Sequence, residues 1–127
     1  MKNGRGLKGK EPRTKDDRLI YLVFTAQQKL RTYLKNAMSE AGVSITPAQS
    51  AILFLLKKKN GQTMSGLSSV LSLDNSTLTG LVDRLERAGF VQRNAGTADR
   101  RASPVFITDS GGEEIERARI VIRRVND

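Results

Sequence analysis

The stretch DNSTLTGLVDRLERAGF, residues 74–90, decides how this 127-residue chain is read. Leu78, Leu81, Val82 and Leu85 recur at helical spacing and predict one buried face. The other face begins with short hydroxyl side chains, Ser76, Thr77 and Thr79, followed by Gly80. An ordinary solvated helix would place Lys and Glu there. Asp74 or Asn75 supplies the N-cap, and Gly89 supplies the left-handed stop.

The neighbouring residues extend this helix into a motif. Upstream, Thr63 caps a short helix in which Leu67, Val70 and Leu71 are predicted to face inward. Only Leu73 and Asp74 separate the two, so the pair forms a helix-turn-helix. Downstream, FVQR predicts a strand, NAGTADRRA a polar loop and SPVFIT a second strand. Proline is costly in a central strand, so Pro104 makes this hairpin an edge pair. Ser110 and Glu113 have capping-box spacing. They open a last helix with Ile115, Ala118, Ile122 and Val125 on its inward stripe.

Nearer the N-terminus, Thr46-Pro47 reads as an N-cap with proline at the first helical position. The apolar helix that follows stops at Asn60-Gly61. Lys57, Lys58 and Lys59 suit the negative end of its dipole, and a phosphate contact is the alternative. Leu19, Val23, Ala26, Leu30, Tyr33 and Ala37 alternate steps of four and three. They predict a helix from about Asp17 to Ala41, ended by Gly42. Its apolar cover is wide enough for two partners, either neighbours in the same domain or a second subunit. Residues 1–17 form a basic tail predicted to be disordered, and 18–127 form one domain. The fold class is mainly α with a small β-hairpin wing, a winged helix-turn-helix with flanking dimerisation helices.

Composition narrows the chemistry. There is no cysteine and no histidine. Disulfides, thiolate nucleophiles and histidine-based zinc sites are therefore excluded, and no metal or cofactor is expected. The commonest general base is missing too, and no catalytic residue stands out. No apolar run approaches the ~18 residues of a membrane span, and the basic start is not followed by the apolar segment of a secretory signal. The net charge is +9 and the first 15 residues carry six cations against Glu11 alone. Such a balance suits a polyanion partner.

In a winged helix-turn-helix the second helix enters the DNA major groove. Short Ser and Thr side chains allow close approach, bond to base edges and phosphates, and offer methyl groups to thymine. Capping alone would also explain them. An arginine at the hairpin tip can enter the minor groove. Asp99, repelled by phosphate, would hold such an arginine in place or form a solvated surface pair. Asp83 would pair with Arg87 one turn on or with a wing arginine.

These residues resemble the MarR (multiple-antibiotic-resistance regulator) family of transcriptional regulators. The likeness lies in the D-x-S-x-x-T start at Asp74, LVDRLERAGFV, the wing's DRR, the closing V-x-I-T-x-x-G, and ITPAQSAIL upstream. It runs from about Leu19 to Ile122. The resemblance implies a cytoplasmic homodimer that binds a pseudo-palindromic stretch of double-stranded DNA and represses transcription. A small aromatic or anionic effector would release it. Carried over by position, the DNA contacts are Ser76, Thr77, Thr79 and Arg84 in the major groove and Arg101 in the minor groove; Asn75 and Gly80 complete the expected DNA-binding set. Arg100 would meet phosphate and Asp99 would orient the wing. Leu19, Leu22, Val23, Leu30, Ile115, Ile122 and Val125 are available for the dimer interface.

Two features depart from the family pattern. Gly80 stands where a longer or charged residue is usual, and the final helix, about Gly111 to Asn126, is short. The peroxide-sensing mechanism of one family branch is excluded, because it needs cysteine. The alternative reading is a sequence-tolerant architectural DNA-binding protein governed by the basic tail and wing arginines. A winged-helix module serving protein contacts is a further rival.

Overall fold

The computed structural model describes residues 14–94 and 103–126. The chain divides into two units, Met1–Leu34 and Lys35–Asp127. Helix α1 (Lys15–Glu40) supplies the described part of the first unit and enters the second. It starts two residues earlier than its apolar spacing suggests. The Thr14 hydroxyl accepts the Asp17 N–H at 3.0 Å, and Asp16 and Asp17 lie in the first turn, where carboxylates suit the dipole. Residues 15–17 of the expected tail are thus helical, and residues 1–13 lie outside the described residues.

The second unit continues with α2 (Pro47–Lys58), β1 (Gln62–Thr63), α3 (Met64–Leu71), α4 (Asn75–Arg87), β2 (Val91–Arg93), β3 (Pro104–Ile107) and α5 (Asp109–Asn126). Thr46 caps α2 as predicted, with Pro47 first in the helix, and Gln49 completes a capping box: Thr46 accepts from the Gln49 N–H, and the Gln49 side chain accepts from the Thr46 N–H. Ile52, Leu53 and Leu56 of α2 are fully buried with Leu67, Leu78, Val82 and Val105. Met38, Leu85, Val91, Ile115 and Ala118 belong to the same core. Each of these side chains larger than alanine contributes roughly 1.5–3 kcal/mol by leaving water.

The sheet corrects the predicted hairpin. It has three antiparallel strands in the order β1-β3-β2, so β3 is central rather than one of an edge pair. Pro104 is tolerated because it is the first residue of β3, opposite Thr63, and its carbonyl accepts the Asn94 N–H at 3.1 Å. Asn60 steadies this strand: its Oδ1 accepts the Ile107 N–H at 2.9 Å.

Two smaller expectations also change. Val70 is 61 % exposed, whereas Leu67 on the same helix is buried. The cap of α5 is Thr108 rather than Ser110. Its hydroxyl accepts the Gly111 N–H at 3.1 Å and donates to the Gly89 carbonyl at 2.6 Å. Lys57 and Lys58 lie in the last turn of α2 as expected, Lys57 pairing with Glu116 at 2.5 Å and Lys58 lying over the Phe54 ring, while Lys59 stands just past the helix as its C-cap.

Glycine is required by geometry at both ends of the link from α4 to α5. Gly89 adopts φ +85°, and the Phe90 N–H then reaches the Leu85 carbonyl at 2.9 Å while the Gly89 N–H reaches Glu86 at 3.0 Å. This double bond pattern ends α4 and turns the chain into β2. At Gly111 a Cβ would sit 2.1 Å from the Phe90 carbonyl oxygen, so only glycine lets α5 start against that backbone.

Glu114 fastens α5 to the segment before α2. Its side chain is almost wholly buried. It accepts from the Ser44 N–H at 2.6 Å and the Ser44 hydroxyl at 2.7 Å, and from Arg117 at 2.9 and 2.6 Å. Burial pushes this carboxyl up. Ser44 and Arg117 outweigh that effect and hold it below its ordinary value near 4.5.

Candidate nucleic-acid interface

Helices α3 and α4 form the expected helix-turn-helix. Thr63 caps α3 by accepting the Gly66 N–H at 3.0 Å. The turn between the helices passes through Ser72, which holds φ 54°. It is closed by the Leu73 N–H on the Ser68 carbonyl at 3.2 Å and the Ser68 hydroxyl on the Leu73 carbonyl at 2.5 Å.

Asp74, the first of the two cap candidates, opens α4. It accepts the Thr77 N–H at 2.7 Å and the Ser76 hydroxyl at 3.0 Å. Those bonds, the Thr77 N–H foremost, hold its carboxyl below the ordinary value near 3.8. Ser76 is therefore oriented by the cap, with its oxygen lone pairs left to accept. Leu78, Leu81, Val82 and Leu85 are buried as the spacing predicts. Asn75, Ser76, Thr77, Arg84 and Arg87 are exposed, and Thr79 and Gly80 are half-buried. A Cβ built at Gly80 meets only the Arg84 guanidinium, at 3.8 Å or more. The other described residues do not require glycine there.

The base of the wing is regular. Val91 pairs with Ile107, Gln92 with Phe106 and Arg93 with Val105. Asp99, Arg100 and Arg101 lie outside the described residues. Arg93, missed by the sequence reading, partners Asp83: its Nη2 bonds Asp83 Oδ1, and its Nε meets Glu86 Oε1 at 3.3 Å. Arg87, the partner expected one turn on, is exposed. The missed signal was strand alternation, which turns Arg93 to the same face as buried Val91.

Behind α4 lies a cleft of about 470 Å³ lined by Ser44, Ile45, Thr46, Gln49, Leu81, Arg84, Leu85, Ala88 and Phe90. It combines an aromatic ring, an amide and a guanidinium, a set that suits a small aromatic or anionic molecule. Among the described residues no group of three or more His, Cys, Asp and Glu could hold a metal ion. No helix there is long and apolar enough to cross a membrane.

The residues expected at a dimer interface divide. Leu19, Leu22, Val23 and Leu30 on α1 are between 46 % and 62 % exposed. Ile122 and Val125 are half-buried. Ile115 is a correction: it is 2 % exposed and packed in the core of its own unit, so it offers no surface to a partner.

Residues 45–103 match the profile of the MarR family. The chain is 30 % identical over 101 residues to the HTH-type transcriptional regulator TtmR of Methylorubrum extorquens, covering 80 % of this chain and 51 % of that protein. It is 33 % identical over 89 residues to the HTH-type transcriptional repressor MdtR of Bacillus subtilis, covering 70 % and 56 %. It thus spans about half the length of these curated relatives. Among solved structures, a mutant of MarR from E. coli complexed with operator DNA superposes with a TM-score of 0.72 at 30 % identity, covering 82 % of this chain and 73 % of that one.

Proposed function

This chain belongs to the MarR family, and from that premise we propose that it is a transcription regulator, a repressor that binds a pseudo-palindromic operator as a homodimer in the cytoplasm. The observation that carries the reading is α4 itself. Its buried leucine stripe fixes the helix on the core, and its Asp74 cap orients Ser76 at the end where the dipole favours phosphate. Asn75, Ser76, Thr77, Thr79, Gly80 and Arg84 are the proposed major-groove surface. Arg101 is proposed for the minor groove, Arg100 for phosphate and Asp99 for orienting the wing. The operator complex of the similar E. coli protein supports the docking mode. A small aromatic or anionic effector in the cleft behind α4 would bias the same helix and release DNA.

Selection of bound duplexes from a random pool at near-physiological salt tests this. The expected result is an inverted repeat with half-sites about one helical turn apart. On that duplex Arg101→Ala is expected to cost about 1–3 kcal/mol. Recovery of DNA with no shared sequence would refute base reading and favour the architectural alternative, with affinity dominated by basic residues.

A further inference from the structure

Arg93 belongs to β2, yet its bonds are to α4. Val91 points inward, Gln92 outward, and Arg93 returns to the inner face with its side chain only 9 % exposed. A guanidinium so far from water must be matched by charge and hydrogen bonds. Two carboxylates supply them, Asp83 at Nη2 and Glu86 at Nε, and the Arg93 backbone N–H adds a bond to Glu86 Oε2 at 3.3 Å. Asp83 and Glu86 lie three residues apart on α4, outside its buried leucine stripe. One residue further on, the Asn94 N–H donates to the Pro104 carbonyl at 3.1 Å and closes the hairpin base. Arg93 therefore stands where the helix and the base of the wing meet.

We propose that Arg93 is a positioning residue for DNA binding: by joining Asp83 and Glu86 to β2 it fixes the offset between α4 and the β2–β3 hairpin, so that major-groove and wing contacts are presented in one register. The proposal rests on the DNA-binding reading above. Arg93 acts through the helix, because its buried guanidinium is not available to touch phosphate. Arginine suits the task because a planar fork can bond two carboxylates at once. A lysine keeps the charge but loses that geometry.

The test compares Arg93→Lys, Arg93→Gln and Glu86→Gln with the full wild-type chain. It reads affinity for the selected duplex, affinity for an unrelated duplex of equal length, salt dependence and thermal melting. Both Arg93 variants are expected to lose about tenfold or more on the selected duplex, with affinity for the unrelated duplex and the salt slope unchanged. Glu86→Gln leaves the Asp83 bond intact and is expected to show a smaller loss of the same kind. It also carries the test if the Arg93 variants do not fold. Two results overturn the proposal. Equal losses on both duplexes, with the salt slope reduced by about one, would make Arg93 a phosphate contact. A lower melting temperature with specific affinity intact would make it a support of the fold alone. If the wild-type chain prefers no sequence, the DNA-reading function itself fails and the positioning role falls with it.

Discussion

Gly80 has no reason to be glycine within the described structure. It sits in mid-helix with ordinary helical backbone, and an added Cβ would meet only the movable end of Arg84. Replacing it with alanine should raise stability by about 1 kcal/mol, because glycine loses more backbone entropy in a helix. If the outer face of α4 must approach DNA closely, the same methyl group costs affinity. Gly80→Ala is therefore expected to melt higher and bind the selected duplex about tenfold more weakly, a loss in the range of one base contact. A higher melting point with affinity intact would show that the gap is not used. The two arginines of the site illustrate what single residues disclose. Arg84 was legible through the family resemblance, which places it among the DNA contacts; it flanks the buried stripe, beside Leu81 and Leu85. Arg93 was not, because a charged residue in a short strand reads as solvated unless alternation from Val91 is followed through.

Helices of the second unit were legible where their apolar period was long, and the sheet was least legible. Leu78 to Leu85 announces α4 over two turns, whereas Gln62–Thr63 is a two-residue strand with no period of its own. Without β1, β3 reads as an edge strand, and the position of Pro104 argues for that reading. Caps were equally local decisions: Ser110 and Glu113 have the right spacing, but Thr108 wins because its hydroxyl also bonds Gly89. The attachment of α5 through Glu114 could not be read at all, since Ser44 lies 70 residues away. It has a pH signature. The folded carboxyl titrates below its ordinary value near 4.5. Its stabilisation is thus fully present above that pH and is lost as pH falls through the folded value. Glu114→Gln should cost about 1–3 kcal/mol at pH 7, the range for losing charged hydrogen bonds in a buried site. In denaturant melts at a series of pH values, the gap to wild type should close on acidification below about 4.5. A gap that stays constant would assign the loss to packing instead of charge.

For the molecule as a whole, the apolar surface of α1 is the feature on which the proposed dimer rests. Leu19 to Phe24 are six consecutive apolar residues, every one more than two-fifths exposed. At about 100° per residue they cover the full circumference of the helix. Water-exposed apolar surface of that extent marks an interaction site. The sequence displayed this excess but could not say which stripes face a partner. Ile115 lies on a stripe of the same kind and is spent on its own core, because helical periodicity records that a face is buried without recording against what. We expect the chain to be a dimer by sedimentation and the double substitution Leu22→Glu, Val23→Glu to make it a monomer. Placing charge at an apolar contact leaves it unpaired when buried. A monomer engages one half-site at a time and loses the effective concentration that the second subunit supplies. Its affinity for the full inverted repeat should therefore fall by about 10²–10⁴-fold, while its affinity for an isolated half-site stays close to that of the wild-type subunit. A wild-type chain that sediments as a monomer yet protects both half-sites would refute the interface. Equal losses on full and half sites would instead place the damage in the DNA-reading surface.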